Sequence, residues 1–290
     1  MTDIIIVGSG PAGATAAIYA VRAGMRATMV SMGAGSLERA ERIENFYGCE
    51  PVSGLGLHKA GAAQALSLGA ELVEGEVVSI AYDGESYTVK TAQGDELTAR
   101  AVVLATGVTR RAPKLAGLAE LEGRGVSYCA VCDGFFYRGK KVCVLGSGDY
   151  AAHEAAELAP LAASVTILTN GDEPDFAAPD GVSLYTSPLA ALEGEGKLER
   201  VRFEDGETLE ADGLFVALGT AGSAALARTL GAVVEGDNIS VDANMATTLQ
   251  GLFAAGDCTG GLLQVAKAAS DGAIAGTAAV RYLRAVKNGK

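Results

Sequence analysis

The sequence predicts an α/β chain built from two Rossmann-like dinucleotide-binding domains, the second inserted into the first. Three observations carry this. Two apolar strands, Asp3 to Val7 and Lys141 to Leu145, each run into a glycine-rich turn followed by an alanine-rich helical stretch, Ala14 to Ala23 and Ala151 to Leu158. A third buried run, Ala101 to Ala105, stops at Thr106-Gly107, as strands of parallel sheets do where they meet a nucleotide. A last short strand within Gly251 to Asp257 precedes a small-residue helix from about Leu263 to Leu283, so the tail returns to the first domain. The expected domains are 1–111 with 222–290, and 112–221.

In chain order, the first turn is Gly8-Ser9-Gly10-Pro11-Ala12-Gly13. Its glycines permit a tight bend, let backbone approach a pyrophosphate and let the helix pack closely, while the helix start offers amide N–H groups to an anion. The second strand, Ala27 to Val30, leads into Ser31-Met32, and the acid that commonly holds a ribose there is missing. Glu74 to Ala81, Ser86 to Thr91 and Leu97 to Ala99 alternate as an antiparallel meander with turns at Asp83-Gly84 and Gln93-Gly94. The second glycine turn is Gly146-Ser147-Gly148 with Ala151, and the strand after it is Val165 to Leu168. Gly256-Asp257 suits contact with a cofactor hydroxyl or phosphate, a turn aspartate being the alternative.

Composition narrows the function. At 290 residues and 49% hydrophobic, the chain can bury the cores of two domains. Its 5 cysteines are too few for a secreted disulfide framework, which points to a reducing cytoplasm. A net charge of −12 argues against nucleic acid. The uncharged stretch from Ile4 to Val21 has the length of a membrane span, but it opens after Asp3 and its centre is the glycine turn, so no membrane is expected.

Cys129-Ala130-Val131-Cys132-Asp133 lies between the two turns. A pair spaced this way closes and opens a small disulfide ring reversibly, and one thiol of such a pair usually has a lowered pKa. Half a zinc site and a structural bridge are the other readings, but zinc takes about four ligands. No second such pair exists, Cys49, Cys143 and Cys258 stand alone, and His58 and His153 are distant in sequence.

With these residues the chain resembles the low-molecular-weight thioredoxin reductases. Gly8 to Gly13, Glu44-Asn45, Ala105-Thr106-Gly107, Cys129 to Phe136, Gly146 to Gly148 and Ala255-Gly256-Asp257 occur in that family's order over nearly the whole length. The resemblance implies FAD held by Gly8, Ser9, Gly10, Pro11, Ala12, Gly13, Asn45, Thr106, Gly107, Gly256, Asp257 and Gln264. It implies a homodimer, thioredoxin as partner, Cys132 nearer the flavin, Cys129 attacking thioredoxin's disulfide, and Asp133 as acid/base. A thiolate leaving group needs a proton, and Asp133 is adjacent to supply it, a solvated turn residue being the alternative.

Two departures concern the electron donor. Where the family carries a basic cluster for the NADPH 2′-phosphate, this chain has Thr169-Asn170-Gly171-Asp172-Glu173-Pro174-Asp175, which repels phosphate. The family's Arg-Gln pair beside the flavin is reduced to Gln264. Both are similar to the ferredoxin-dependent flavin branch, so ferredoxin is the expected donor. Arg39 with Arg42, or Arg110, Arg111 and Lys114, are its candidate docking cations. The alternatives are an NADPH or NADH enzyme, with Asp172 on a ribose hydroxyl, and a flavin-binding redox sensor.

Overall fold

Ile4–Val7 (β1) is a run of β-branched residues buried along its whole length, each worth about 1.5–3 kcal/mol when removed from water. It must stop at Gly8, whose φ is +110° and where a Cβ would stand 2.4 Å from the Ala105 carbonyl oxygen. Pro11–Arg22 (α1) follows, with proline preset for the first turn, then Ala27–Ser31 (β2) and a 3-10 turn over Gly35–Arg39. Gly54–Ser67 (α2) is capped by Ser53, whose hydroxyl accepts the Gly56 N–H at 3.1 Å. Glu71–Glu74 (β3) lies parallel to β2. Val77–Tyr82 (β4), Tyr87–Thr91 (β5) and Glu96–Ala99 (β6) form an antiparallel sheet, with Gly84 and Gly94 at positive φ in its turns. Ala101–Leu104 (β7) returns beside β1. The meander predicted from Glu74 thus begins at Val77, because Glu71–Glu74 is an edge strand of the parallel sheet with both glutamates turned to water.

The computed structural model describes residues 2–107, 115–128, 130–174, 176–218, 222–236 and 238–289, with backbone alone at Arg39, Val131 and Cys132. It divides into Met1–Thr109 with Gly222–Lys290, and Arg110–Ala221. The second unit contains Val126–Ser127 (β8), the short helix Ala130–Asp133 (α3) running into a 3-10 turn at Gly134–Tyr137, then Lys141–Leu145 (β9), Asp149–Leu158 (α4) and Ser164–Leu168 (β10). Val182–Tyr185 (β11) precedes an antiparallel sheet of Leu189–Glu193 (β12), Arg200–Phe203 (β13) and Thr208–Glu210 (β14), and Gly213–Val216 (β15) closes the unit. Its parallel sheet has the order β11-β10-β9-β15-β8.

The chain then re-enters the first unit as Ser223–Thr229 (α5), a hairpin of Val234–Glu235 (β16) and Asn238–Ile239 (β17), Leu252–Ala254 (β18) and Val265–Lys287 (α6). β18 completes the parallel sheet β18-β7-β1-β2-β3. α6 packs on α1 backbone to backbone: a Cβ at Gly272 would stand 2.1 Å from the Ala12 oxygen, and one at Gly276 2.6 Å from that of Ala16. The two parallel sheets therefore follow one plan. Each has three strands in sequence, an antiparallel insertion, a fourth strand, and an edge strand drawn from elsewhere in the chain. Among the described residues no helix is long and apolar enough to cross a membrane.

Candidate functional site

The first glycine turn has a closed side and an open side. A Cβ at Gly13 would lie 1.9 Å from the Gly8 oxygen, so strand and helix meet there without room for a side chain. At Gly10 a Cβ would meet nothing within 4 Å. Gly10 is also the N-cap of α1 and no side chain caps it, so the first free N–H groups of the helix, at Ala12 and Gly13 behind the N–H-less Pro11, are left to a bound anion or to water. Bare backbone facing open space at a helix start fits the pyrophosphate of FAD.

Ser9, by contrast, is turned into the protein. Its hydroxyl is 2.8 Å from that of Ser31 and 2.9 Å from His58 Nε2. Burial holds the His58 imidazole below its usual pKa, and the Glu38 carboxylate opposes that shift. The Glu38 carboxyl also comes within 3.5 Å of where a Gly33 Cβ would stand. Glu38 thus brings a carboxyl beside the loop that leaves β2, from the 3-10 turn that follows it.

The C-terminal end of the first unit comes to this turn. Gly256 has φ +85°, and a Cβ on it would be 2.9 Å from that of Ala12. Next to it burial raises the half-buried Asp257 carboxyl above the ordinary range, with Lys267 opposing and Asp271 reinforcing. Lys267 was not predicted. From the first turn of α6 its ammonium reaches the oxygens of Gly256 at 2.9 Å, Gly260 at 2.7 Å and Thr259 Oγ1 at 2.8 Å, and Asp271 at 2.8 Å. Asp271 in turn accepts the Gly256 N–H at 3.1 Å. Asn45 Nδ2 donates to Gln264 Oε1 at 2.9 Å, joining two predicted cofactor residues from opposite ends of the chain. The Thr106 amide and hydroxyl are bound by Ser223 at 3.1 and 2.8 Å, and Gly107 follows at φ +76°.

In the second unit Cys129 lies outside the described residues, and Cys132 is described by backbone alone, within α3. Asp133 accepts the Ser127 hydroxyl at 2.7 Å. Glu154, which no motif marks, is 5% exposed and accepts the Ala130 N–H at 2.7 Å. Burial pushes its carboxyl up to about 7, against the pull of that hydrogen bond. Phe135 and Phe136 stand 68% and 69% exposed just after the dithiol segment. Cys143 and Cys258 are buried, their thiols pushed up to about 12 and about 11, which makes them poor nucleophiles.

At the second glycine turn a Cβ on Gly146 would lie 2.1 Å from the Ala217 oxygen and 2.8 Å from the Ala151 Cβ, so the glycine and the alanine are both required. Ser147 donates to the Asp172 carboxylate at 3.4 Å. An acid therefore faces this turn where a ribose 2′ substituent would lie, which does not fit a 2′-phosphate. Asp175 is outside the described residues. So are Arg110, Arg111 and Lys114, while Arg39 is described by backbone alone and Arg42 is paired with Glu44 at 2.7 Å.

The family model described as pyridine nucleotide-disulphide oxidoreductase matches residues 2–273. Thioredoxin reductases from Bacillus subtilis and Listeria innocua are 35% and 34% identical, over 97% and 98% of this chain and 94% and 95% of theirs. Among solved structures, an atypical thioredoxin reductase from Desulfovibrio vulgaris Hildenborough is 39% identical with a TM-score of 0.92, covering 98% of each chain. A ferredoxin-flavin thioredoxin reductase from Clostridium acetobutylicum is 33% identical with a TM-score of 0.74, again over 98% of each chain.

Proposed function

Because the chain belongs to the pyridine nucleotide-disulphide oxidoreductase family, and within it to the low-molecular-weight thioredoxin reductases, we propose that this FAD-dependent thioredoxin-disulfide reductase takes its electrons from reduced ferredoxin and passes them through Cys129 and Cys132. FAD, held at the first glycine turn, would supply the capacity to accept single electrons and to give them up in pairs. The residues of the chain do the rest. The α1 amides and the Gly10 backbone would hold its pyrophosphate, and the turn carrying Asp257, braced by Lys267, would present its carboxyl to the same cofactor. Asn45 and Gln264 fix one another at its edge. In the second unit Cys132 receives electrons on the flavin side and Cys129 attacks the disulfide of thioredoxin. Asp133, held by Ser127, returns a proton to the leaving thiolate.

The observation that carries the donor assignment is the Asp172 carboxylate at the second glycine turn. A 2′-phosphate bears about two negative charges and forms its strong bonds with guanidinium or ammonium groups, and here it would meet an acid. The same contact favours one second reading, NADH, since a carboxylate at that place can hold a ribose hydroxyl. Ferredoxin is preferred because the acidic run continues through Glu173, a poor setting for any nucleotide phosphate. A cytoplasmic homodimer is part of the proposal.

Anaerobic flavin absorbance decides between the donors. Reduced ferredoxin should bleach the bound flavin and support thioredoxin reduction, while NADPH and NADH at millimolar concentration leave it oxidised. Rapid bleaching by micromolar NADPH would refute the assignment. Bleaching by NADH alone, lost in Asp172→Ala, would establish the second reading. Bleaching by ferredoxin with no thioredoxin turnover would indicate a sensor.

A further inference from the structure

Glu154 is a carboxyl group with no part in the reaction as described so far, and its place is unusual. It projects from α4 among Tyr150, Ala151, Ala155 and Leu158, all buried, so it occupies the inward stripe of the helix where an apolar residue is the rule. Its described hydrogen-bond partner is the N–H of Ala130, which is itself 3% exposed and lies between the two cysteines in sequence. The segment is drawn down onto α4 by a second close contact, since a Cβ on Gly134 would stand 3.1 Å from Leu158 Cδ2. A buried carboxyl is thus tied to the backbone of the redox loop and shielded from water, in a medium where a change of one charge nearby is strongly felt.

We propose that Glu154 is a positioning residue of the dithiol whose carboxylate takes up a proton when the Cys129–Cys132 disulfide is reduced and releases it when the disulfide re-forms. In the reductive step two electrons from the reduced flavin break the S–S bond. One sulfur becomes a thiol and the other a thiolate, and the growing negative charge moves a solvent proton onto Glu154. Disulfide and carboxylate, with two electrons and two protons, give thiol, thiolate and carboxylic acid, so charge is conserved. When the thiolate attacks the disulfide of thioredoxin, the electrons leave with that substrate, the Cys129–Cys132 bond closes and Glu154 gives its proton back. The inference rests on the dithiol assignment proposed above.

The other titratable groups on the packed elements do not take over this part. Asp149, Tyr150, His153 and Glu157 share α4, and Glu157 pushes the Glu154 carboxyl in the same direction as burial. α3 contributes Asp133, which is held by Ser127. β9 contributes the buried Cys143 thiol with Lys141 at its exposed end, and β10 has no titratable residue.

The test is the pH dependence of the dithiol potential in the FAD-loaded protein, from about pH 6 to 8, set with thiol redox buffers and read by alkylation. Glu154→Gln keeps an oxygen to accept the Ala130 N–H and cannot titrate. Wild type should show a slope near neutrality steeper than that of Glu154→Gln by up to about 30 mV per pH unit, the equivalent of one extra proton for a two-electron couple. Equal slopes in the two proteins would overturn the proposal. Cys129→Ser and Cys132→Ser serve as the separate check. If either retains thioredoxin reduction, the dithiol assignment itself fails; if both abolish it and the slopes are equal, only the role of Glu154 fails. Glu154→Ala, which also removes the acceptor, should slow thioredoxin reduction more than Glu154→Gln. Equal rates in those two variants would contradict the positioning part.

Discussion

Lys267→Met removes the ammonium that ties the Gly256 to Gly260 turn to α6, and its cost can be worked from the geometry. Lys267 and Asp271 are 21% and 9% exposed at the side chain, unlike the surface pair Lys90–Glu96 at 54% and 56%. Deleting one partner of a fully buried pair costs about 3–5 kcal/mol because the other is left charged in a poor solvent. Some water reaches Lys267, so about 2–4 kcal/mol is expected for this pair, against at most about 1 kcal/mol for Lys90→Met. Three further oxygens, of Gly256, Thr259 and Gly260, lose their donor. The turn that carries Asp257 then relaxes, so FAD should dissociate measurably on dilution where the wild type retains it. Chemical denaturation read by far-UV circular dichroism gives the first quantity, and recovery of flavin fluorescence gives the second. A double-mutant cycle with Asp271→Asn should return a coupling of about 2 kcal/mol. If Lys267→Met unfolds within about 0.5 kcal/mol of wild type and keeps its flavin, the cation is a surface ornament and the reasoning is wrong.

Gly13→Ala should yield a folded second unit with no bound FAD, since its methyl would collide with the Gly8 oxygen at 1.9 Å; flavin content after purification checks this. Asp133→Asn should slow thioredoxin reduction by roughly 10- to 1000-fold with the flavin spectrum unchanged, the usual span for a lost acid/base group; equal rates at every pH would make it a turn residue only. For Glu154 the folded pKa of about 7 lies above the unfolded 4.5, so the folded state holds the proton longer. Its contribution to stability is full below about pH 4.5 and is lost as pH rises through 7. That loss amounts to about 3 kcal/mol, and Glu154→Gln should lack this part of the decline in denaturation curves.

What the sequence disclosed and what it withheld divide along physical lines. β1, β9 and the glycine turns were legible because apolar runs and glycine spacing act within a few residues. The repeat of the two modules followed from the same signals. β3 was not, since Glu-Leu-Val-Glu at a sheet edge reads like the start of the meander next to it. The antiparallel strands between Leu189 and Glu210 were passed over for a like reason, their apolar residues being interspersed with charge. Asn45 and Gln264 were each named from family likeness, yet only folding reveals that they bind one another. His58 acts through Ser9, a partner that the chain brings to it from far away in sequence, whereas the partners of Lys267 lie within a turn and the start of α6, where no motif signals them. Glu154 left a trace that could have been read: with Ala151, Ala155 and Leu158 at helical spacing, it is an acid on the stripe that must be buried.

The return of α6 to α1 has a consequence for the order in which the protein is made. The second unit is one unbroken stretch and is complete once Ala221 has been synthesised, whereas the first lacks β18 and the helix that fits Gly272 and Gly276 against Ala12 and Ala16 until nearly the last residue. Domains generally fold as units as they emerge from the ribosome. The nascent chain therefore carries a finished second unit while the first, with its glycine turn already made, still lacks the strand and helix that pack against β7 and α1.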